Sequence, residues 1–532
     1  MESPFNDILH TNTVPSDSEC QSIRDFLVGS RQKIAHLTNE IVATQALLNQ
    51  LTKKRQALDE FVAAHLALVS PFRRLPTDIM QEIFVASLPS GRNSIITEQD
   101  APLLLCHVCR PWRSLALSTP RLWASLHISV PSNDRTLSSI TDAVNGWLSR
   151  SGILPLSISV ASRETHDPPT ILLTTLIGFS LRWEHISFMF HTYQSLDPLA
   201  SLSPADAPIL RTVAVKGFQW NSGAVVDFLP RPPDEESNNF RFMGSTSIHS
   251  ITCPNLLSLS IPLRWEQLRQ LCVPGGPGTG MSPMSAEMAF GILQKCPLLE
   301  TFSLEITPGP DPPVTLCRME HMRNLHVSAA HGGAEFFDHL IAPNLACLEY
   351  TSYGGLTCIP ILSSSPPLER LILRAFPMAT ETFLEALSLV PTLRQLLIAA
   401  EPRLPPAPAL DGHSPDPLAI LSLNRTDTGD VLCPNLQQLE LRNFSAMSDE
   451  TLFEFIVGRG ALEGVSRLSS IRALFPRPMQ INIIPLLQPL IDDGMAVSLD
   501  HLSFPSLSYS PSTGLEQNGA DWAPVLEFKQ GW

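Results

Sequence analysis

A short apolar pattern, Pro-x-Leu-x-x-Leu-x-Leu, returns from Leu210 onward in this 532-residue chain and restricts its fold more than any other feature. Its anchoring residue falls at Leu210, Leu256, Leu299, Met322, Leu345, Leu368, Leu393 and Leu436. Successive separations are 46, 43, 23, 23, 23, 25 and 43 residues, so each long gap is close to twice a short one and holds an insertion or a degenerate copy. A period of about 20 to 29 residues at this spacing is that of a solenoid, each turn giving one parallel strand and a helical return. The segments before the prolines agree: Met288 to Leu293, Glu335 to Ile341 and Thr382 to Leu389 are apolar at helical spacing. Proline ends each helix and the Leu triplet opens the next strand. Weaker copies at Trp123, Leu156 to Val160, Trp183 and Leu468 to Leu474 widen the array in both directions. The 48 prolines spread along the whole chain fit such punctuation, and a charged fraction of 16% leaves ample apolar side chains for a long core.

In a solenoid the Leu positions face neighbouring turns, and the residues between them form a row along the other sheet face. That row is Ser258/Ser260, Thr301/Ser303, Asn324/His326, Cys347/Glu349, Arg370/Ile372, Gln395/Leu397 and Gln438/Glu440. It is mixed in character and reads as a protein-binding surface, with Asn324, His326, Glu349, Arg370, Gln395, Gln438 and Glu440 as the candidate target contacts. The Pro/Gly-rich stretches Arg231 to Asn239, Pro274 to Pro283, Thr307 to Pro313 and Pro402 to Pro417 read as loops between turns.

Toward the N-terminus, residues 1–30 are polar and read as a flexible arm. Residues 31–69 carry a heptad seam: Ile34, Ile41, Leu48, Arg55 and Val62 alternate with Leu37, Thr44, Leu51, Leu58 and His65, with no Gly or Pro from Gln32 to Val69. This predicts a long helix of coiled-coil type. Its partner is left open between a second copy, a different chain and the next domain.

Residues 70–128 hold Leu75-Pro76, then a helix start at Thr77 or Asp78 with Ile79, Ile83 and Phe84 on one face. Short apolar turns follow at Leu103 to Cys109 and Trp112 to Leu117, and Leu122-Trp123 closes the unit. Three helices this small cannot bury that much Leu, Ile and Trp alone. The order Leu75, Pro76, Ile79, Ile83, Phe84, Val108, Cys109, Arg110, Trp112, Arg113, Leu122, Trp123 resembles the F-box. The preceding heptad helix and the wording SPFRRLPTDIMQEIF resemble the F-box proteins of mushroom-forming fungi. An insert from Pro89 to Pro102 departs from the family's usual turn between the first two helices. The resemblance implies that Leu75, Pro76, Ile79, Ile83, Phe84, Val108, Cys109, Trp112 and Leu115 contact the Skp adaptor, and through it a cullin, in an SCF ubiquitin ligase. The expected fold is α/β: a coiled-coil-like helix, a three-helix F-box at 70–128, and a βα solenoid with a parallel sheet at 129–504, similar to leucine-rich repeats. Residues 505–532 read as a cap or tail. The expected role is a noncatalytic substrate-recognition subunit, the repeats holding a target protein for ubiquitination. The alternative is a repeat scaffold or regulatory protein that delivers no substrate.

Other chemistries find little support. A net charge of 36 − 51 = −15 with no Lys/Arg run disfavours nucleic-acid binding. Thr170 to Leu181, the most apolar window, falls short of the roughly 20 residues that cross a bilayer. The N-terminus has neither a basic leader nor an apolar stretch of the secretory kind, and the chain is expected in the cytoplasm and/or nucleus. Gly275 to Gly280 lacks the Lys-Ser/Thr of a phosphate loop, and Pro277 removes a backbone donor. Cys106 and Cys109 have no second pair at zinc spacing. His321, His326, His331 and His339 with Glu335 and Asp338 read as scattered residues of strand, loop and helix. No catalytic, cofactor or metal site is expected. The ten cysteines read as free thiols in small buried positions.

Overall fold

A computed structural model describes residues 3–501, apart from 131–133, 163–169, 191–197, 218–239, 254–261, 274–283, 308–315, 330–333, 353–356, 376–379, 400–417, 419–420, 422–430 and 445–446 and the single positions 6, 10, 12, 70, 365 and 463. Copies read at Leu256 and Ser258/Ser260, most of the Pro/Gly-rich loops, the Gly275 to Gly280 stretch, His331 and the segment from 505 onward lie outside the described residues. The chain divides into two compact units, Met1–Glu82 and Ile83–Trp532, the division falling inside the helix Thr77–Ala86.

The first unit is dominated by one helix, Asp17–Leu68, of 52 residues. It starts well inside the stretch expected as a flexible arm. The reason is a capping box: Ser16 Oγ accepts from the Glu19 amide, and the Glu19 carboxylate accepts from the Ser16 amide at 2.8 Å. With no Gly but Gly29 and no Pro inside it, nothing breaks the helix before Val69. From Arg31 to Leu66 every residue is exposed, the heptad seam included.

The second unit is an α/β solenoid. Its 14-stranded sheet is parallel throughout. The strands are β1 (Ser125–Val130), β2 (Leu156–Ser162), β3 (Trp183–Phe190), β4 (Thr212–Gly217), β5 (Ser250–Thr252), β6 (Gln270–Val273), β7 (Thr301–Ile306), β9 (Asn324–Ala329), β11 (Cys347–Ser352), β12 (Arg370–Ala375), β13 (Gln395–Ala399), β14 (Gln438–Arg442), β15 (Ser470–Phe475) and β16 (Ala496–His501). They lie side by side in sequence order. The missing numbers, β8 (Cys317–Arg318) and β10 (Leu340–Ile341), pair with each other in a separate small sheet. The return segment expected as helix to Ile341 therefore turns to strand after His339.

The register follows from the repeat. Leu210, Leu299, Met322, Leu345, Leu368, Leu393 and Leu436 each precede a strand by two residues and are no more than 1% exposed. Ile248 and Leu268, equally buried, do the same for β5 and β6, so two turns occupy the interval between Leu210 and Leu299. Each such side chain contributes about 1.5–3 kcal/mol by its burial. Helices Ala286–Leu293, Ala334–His339 and Thr380–Ser388 fill the return positions. They cover the Leu face of the sheet: Phe337 meets the Tyr350 ring at 5.5 Å, and Phe336 stacks on Phe290 at 5.3 Å. Side chains after the prolines tie turn to turn. Asn344 Nδ2 donates to the Glu320 carbonyl, Thr392 Oγ1 to Leu368 and Asn435 Nδ2 to Pro391, at 2.8, 2.8 and 3.0 Å.

Specific bonds tie together the first and the last turns of the sheet. At the start, the insert from Pro89 to Pro102 lies against β1 and β2: Ile95 bridges His127, and the His127 amide donates to the Ser94 carbonyl at 2.7 Å. Asn93 Oδ1 accepts from Ser125 and Ser157, both at 2.9 Å, while its Nδ2 donates to Ser159 at 3.0 Å. An Arg92–Asp100 ion pair at 2.9 Å braces the insert. At the other end, Asp449 is 1% exposed and accepts four hydrogen bonds. They come from Arg477 Nη2 at 2.8 Å, His501 Nε2 at 3.0 Å and the amides of Gln480 and Ile481 at 2.7 and 3.0 Å. Burial would raise its carboxyl, but these donors outweigh it and hold Asp449 well below the usual carboxylate range. Burial pushes Cys296, Cys358 and Cys433 up to about 12.

Candidate functional site

The helical segment that opens the second unit sorts its apolar residues into two sets. Phe84, 1% exposed, meets the Trp112 ring at 4.9 Å and so pins the helix Thr77–Ala86 to the helix Arg110–Leu117. Arg113 Nε donates to the Cys106 carbonyl at 2.7 Å and fixes Leu103–Val108 on the same helix. Leu122 and Trp123 are buried, the indole donating to the Ala116 carbonyl at 2.8 Å and meeting Trp147 edge-on at 4.8 Å. Trp123 also stands two residues before β1, so the helical segment and the solenoid share a side chain. The other set faces outward: Ile83 is 37% exposed, Leu104 46% and Val108 54%, and Cys109 is exposed beside them in sequence. In the first unit, Leu75 is half-buried, Pro76 exposed and Ile79 45% exposed. Of the residues expected to contact an adaptor, Phe84 is buried and packs against Trp112 of its own chain. Trp112 and Leu115 are half-buried. Leu104 is an outward apolar residue that the sequence pattern did not single out.

The second candidate is the sheet face opposite the helices. Pairing brings Thr301, Asn324, Cys347, Arg370, Gln395 and Gln438 into one row, and Ser303, His326, Glu349, Ile372, Leu397 and Glu440 into the next. All seven expected target contacts lie on this face. The expectation that the whole row is open is corrected at three positions: Ile372, Leu397 and Ser303 are 5%, 8% and 6% exposed. Ile372 and Leu397 cluster there with Ala399 as a small second apolar core. A third row, which the repeat pattern did not reveal, runs through Glu305, Ser328, Thr351 and Arg374, and Ala399 pairs with Arg442 farther along the sheet. A longer reading frame, continued to the seventh residue of each repeat, would have found it.

Charge on this face is paired both across strands and along them. Glu349 accepts from His326 Nδ1 at 2.9 Å and pairs with Arg374 at 3.0 Å, all three side chains less than one-quarter exposed. Burial would raise the Glu349 carboxyl, but the His326 hydrogen bond and the Arg374 and Arg370 charges outweigh it and hold it below the ordinary value. Glu440 pairs with Arg442 at 2.7 Å, and Asn324 Nδ2 donates to Thr301 Oγ1 at 3.0 Å. Glu305, on the row beyond, is 7% exposed; among the described residues its Oε2 has no hydrogen-bond partner, and burial raises its carboxyl. Among the described residues no group of three His, Cys, Asp or Glu side chains is placed to hold a metal, and no helix is long and apolar enough to cross a membrane. No protein-family model matches the chain, and no curated protein matches it significantly.

Proposed function

We propose that the chain is a substrate-recognition subunit of an SCF ubiquitin ligase. The segment 70–128 would act as an F-box docking the Skp adaptor, and the solenoid, in the manner of leucine-rich repeats, would hold a target protein. The observation that carries the reading is the sorting of the F-box-like landmarks. Phe84, Leu122 and Trp123 serve the interior, while Ile79, Ile83 and Val108 stay exposed, as apolar side chains do where a partner completes them. The target surface is the mixed face formed by Asn324, His326, Glu349, Arg370, Gln395, Gln438 and Glu440, with Arg374 added through its pair with Glu349. Fixed ion pairs between part-buried polar positions suit discrimination among protein partners. Ubiquitin transfer itself belongs to other subunits in this reading. The test is co-purification with purified Skp adaptor. The unmodified chain is expected to bind stoichiometrically, and Ile83→Asp/Val108→Asp, which alters only outward positions, is expected to lose the complex with its thermal unfolding unchanged. Failure of the unmodified chain to bind would overturn the proposal in favour of a repeat scaffold with no role in substrate delivery.

A further inference from the structure

Between Arg31 and Leu66 the helix Asp17–Leu68 displays a seam whose residues are all exposed. Ile34, Leu37, Ile41, Leu48, Leu51, Leu58 and Val62 are 63, 57, 68, 55, 54, 64 and 52% exposed. At about 1.5 Å per residue the helix runs on the order of 78 Å, far longer than a helix needs merely to support a neighbouring domain. A row of exposed apolar side chains of this length favours pairing in water. We propose that it pairs with the same helix of a second copy, as a parallel, in-register, two-stranded coiled coil.

Two features choose that occupant and that geometry. The seam puts β-branched Ile34, Ile41 and Val62 at one core position and Leu37, Leu51 and Leu58 at the other, the distribution that favours two parallel strands over three or four. Flanking charges then complement their own copy. In a parallel pair each residue before the first core position meets the residue five further on in the partner helix. Lys54 faces Asp59, Glu19 faces Arg24, and Phe61 faces Leu66; no such pair joins like charges. The antiparallel arrangement that keeps the seam aligned sets Lys54 against Leu47 and Asp59 against Thr38, and forms no ion pair. Arg55 is the one cation in the seam. It is paired with Asp59 of its own helix at 3.7 Å, so two Asp59 carboxylates stand beside the two Arg55 and two Lys54 cations of the parallel dimer. Polar core positions such as Arg55, Thr44 and His65 fix register at some cost in stability.

This inference does not depend on adaptor binding. Its test is sedimentation velocity of the full chain across micromolar concentrations. The expected mass is twice 58.4 kDa. Leu48→Glu/Leu51→Glu, substitutions that keep helix propensity, should give a monomer with unchanged circular dichroism. Lys54→Glu should weaken the dimer about tenfold by turning two attractive contacts repulsive, and Lys54→Glu/Asp59→Lys should restore it. A monomeric unmodified chain, or a dimer indifferent to the seam substitutions, overturns the proposal. A dimer that needs the seam but ignores Lys54→Glu overturns the parallel geometry.

Discussion

Asp449→Asn tests how the last turns of the sheet are tied together. In the folded chain one carboxylate oxygen accepts from Arg477 and His501, and the other accepts from the Gln480 and Ile481 amides. An asparagine supplies one acceptor oxygen and a nitrogen that only donates. Whichever way the amide turns, one pair of donors loses its partner, and the guanidinium of Arg477, 9% exposed, loses its counter-charge. Breaking a buried pair in this way costs about 3–5 kcal/mol. In a solenoid each turn is supported by its neighbours alone, so the loss should be confined to β15 and β16. Amide hydrogen exchange reads this directly: about 3 kcal/mol is on the order of a hundredfold in the opening constant of those strands. Exchange in β9 to β12 should be unchanged. Acid supplies a second axis. Because the folded carboxyl titrates below its unfolded value, its contribution is complete above about pH 4 and is lost as pH falls through the depressed folded value. The substituted chain should lack that acid-dependent loss in β15 and β16. Equal protection of these strands in both chains at neutral pH would refute the reasoning.

Glu305→Gln should stabilise the chain near pH 7 by roughly 1 kcal/mol or more, since a buried carboxyl oxygen without a partner among the described residues gives way to a neutral amide. The raised carboxyl means that the cost appears as pH climbs past the unfolded value, so the gain in Tm should vanish near pH 4. Asn93→Ala removes three side-chain hydrogen bonds between the insert and the first two strands, and should cost about 1–3 kcal/mol, read as faster exchange in β1 and β2. Unchanged exchange there would mean that the insert is held by its backbone bridge alone.

The solenoid was legible because its cause is local. A buried Leu or Met two residues before β4, β7, β9, β11, β12, β13 and β14 is written into the sequence, and from Leu299 to Leu436 strand register could be read off by counting. Ile248 and Leu268 were missed because neither follows a proline at the expected place, although Leu268, Leu271 and Val273 repeat the apolar spacing. The helix start at Asp17 was hidden by polar composition, which conceals a capping box that acts through hydrogen bonds and not through burial. Among the surface residues, composition marked the outward Ile79 and Val108 but not the inward Phe84, since the same apolar pattern serves both sides of a short helix. The Glu349–Arg374 pair joins residues on different strands, and its two members acquire meaning only once pairing sets the rows.

The sequential order of the strands bears on how the molecule is made. Each strand finds its neighbour a few tens of residues upstream, so contacts form between segments already synthesised and none waits for the far end of the chain. A nascent polypeptide emerging from the ribosome can lay β2 on β1, β3 on β2, and so on, always presenting one growing edge. The insert that caps β1 emerges before that strand, so the first edge is covered from the outset. The growing edge stays bare until β16 arrives and the Asp449 cluster draws His501 and Arg477 together.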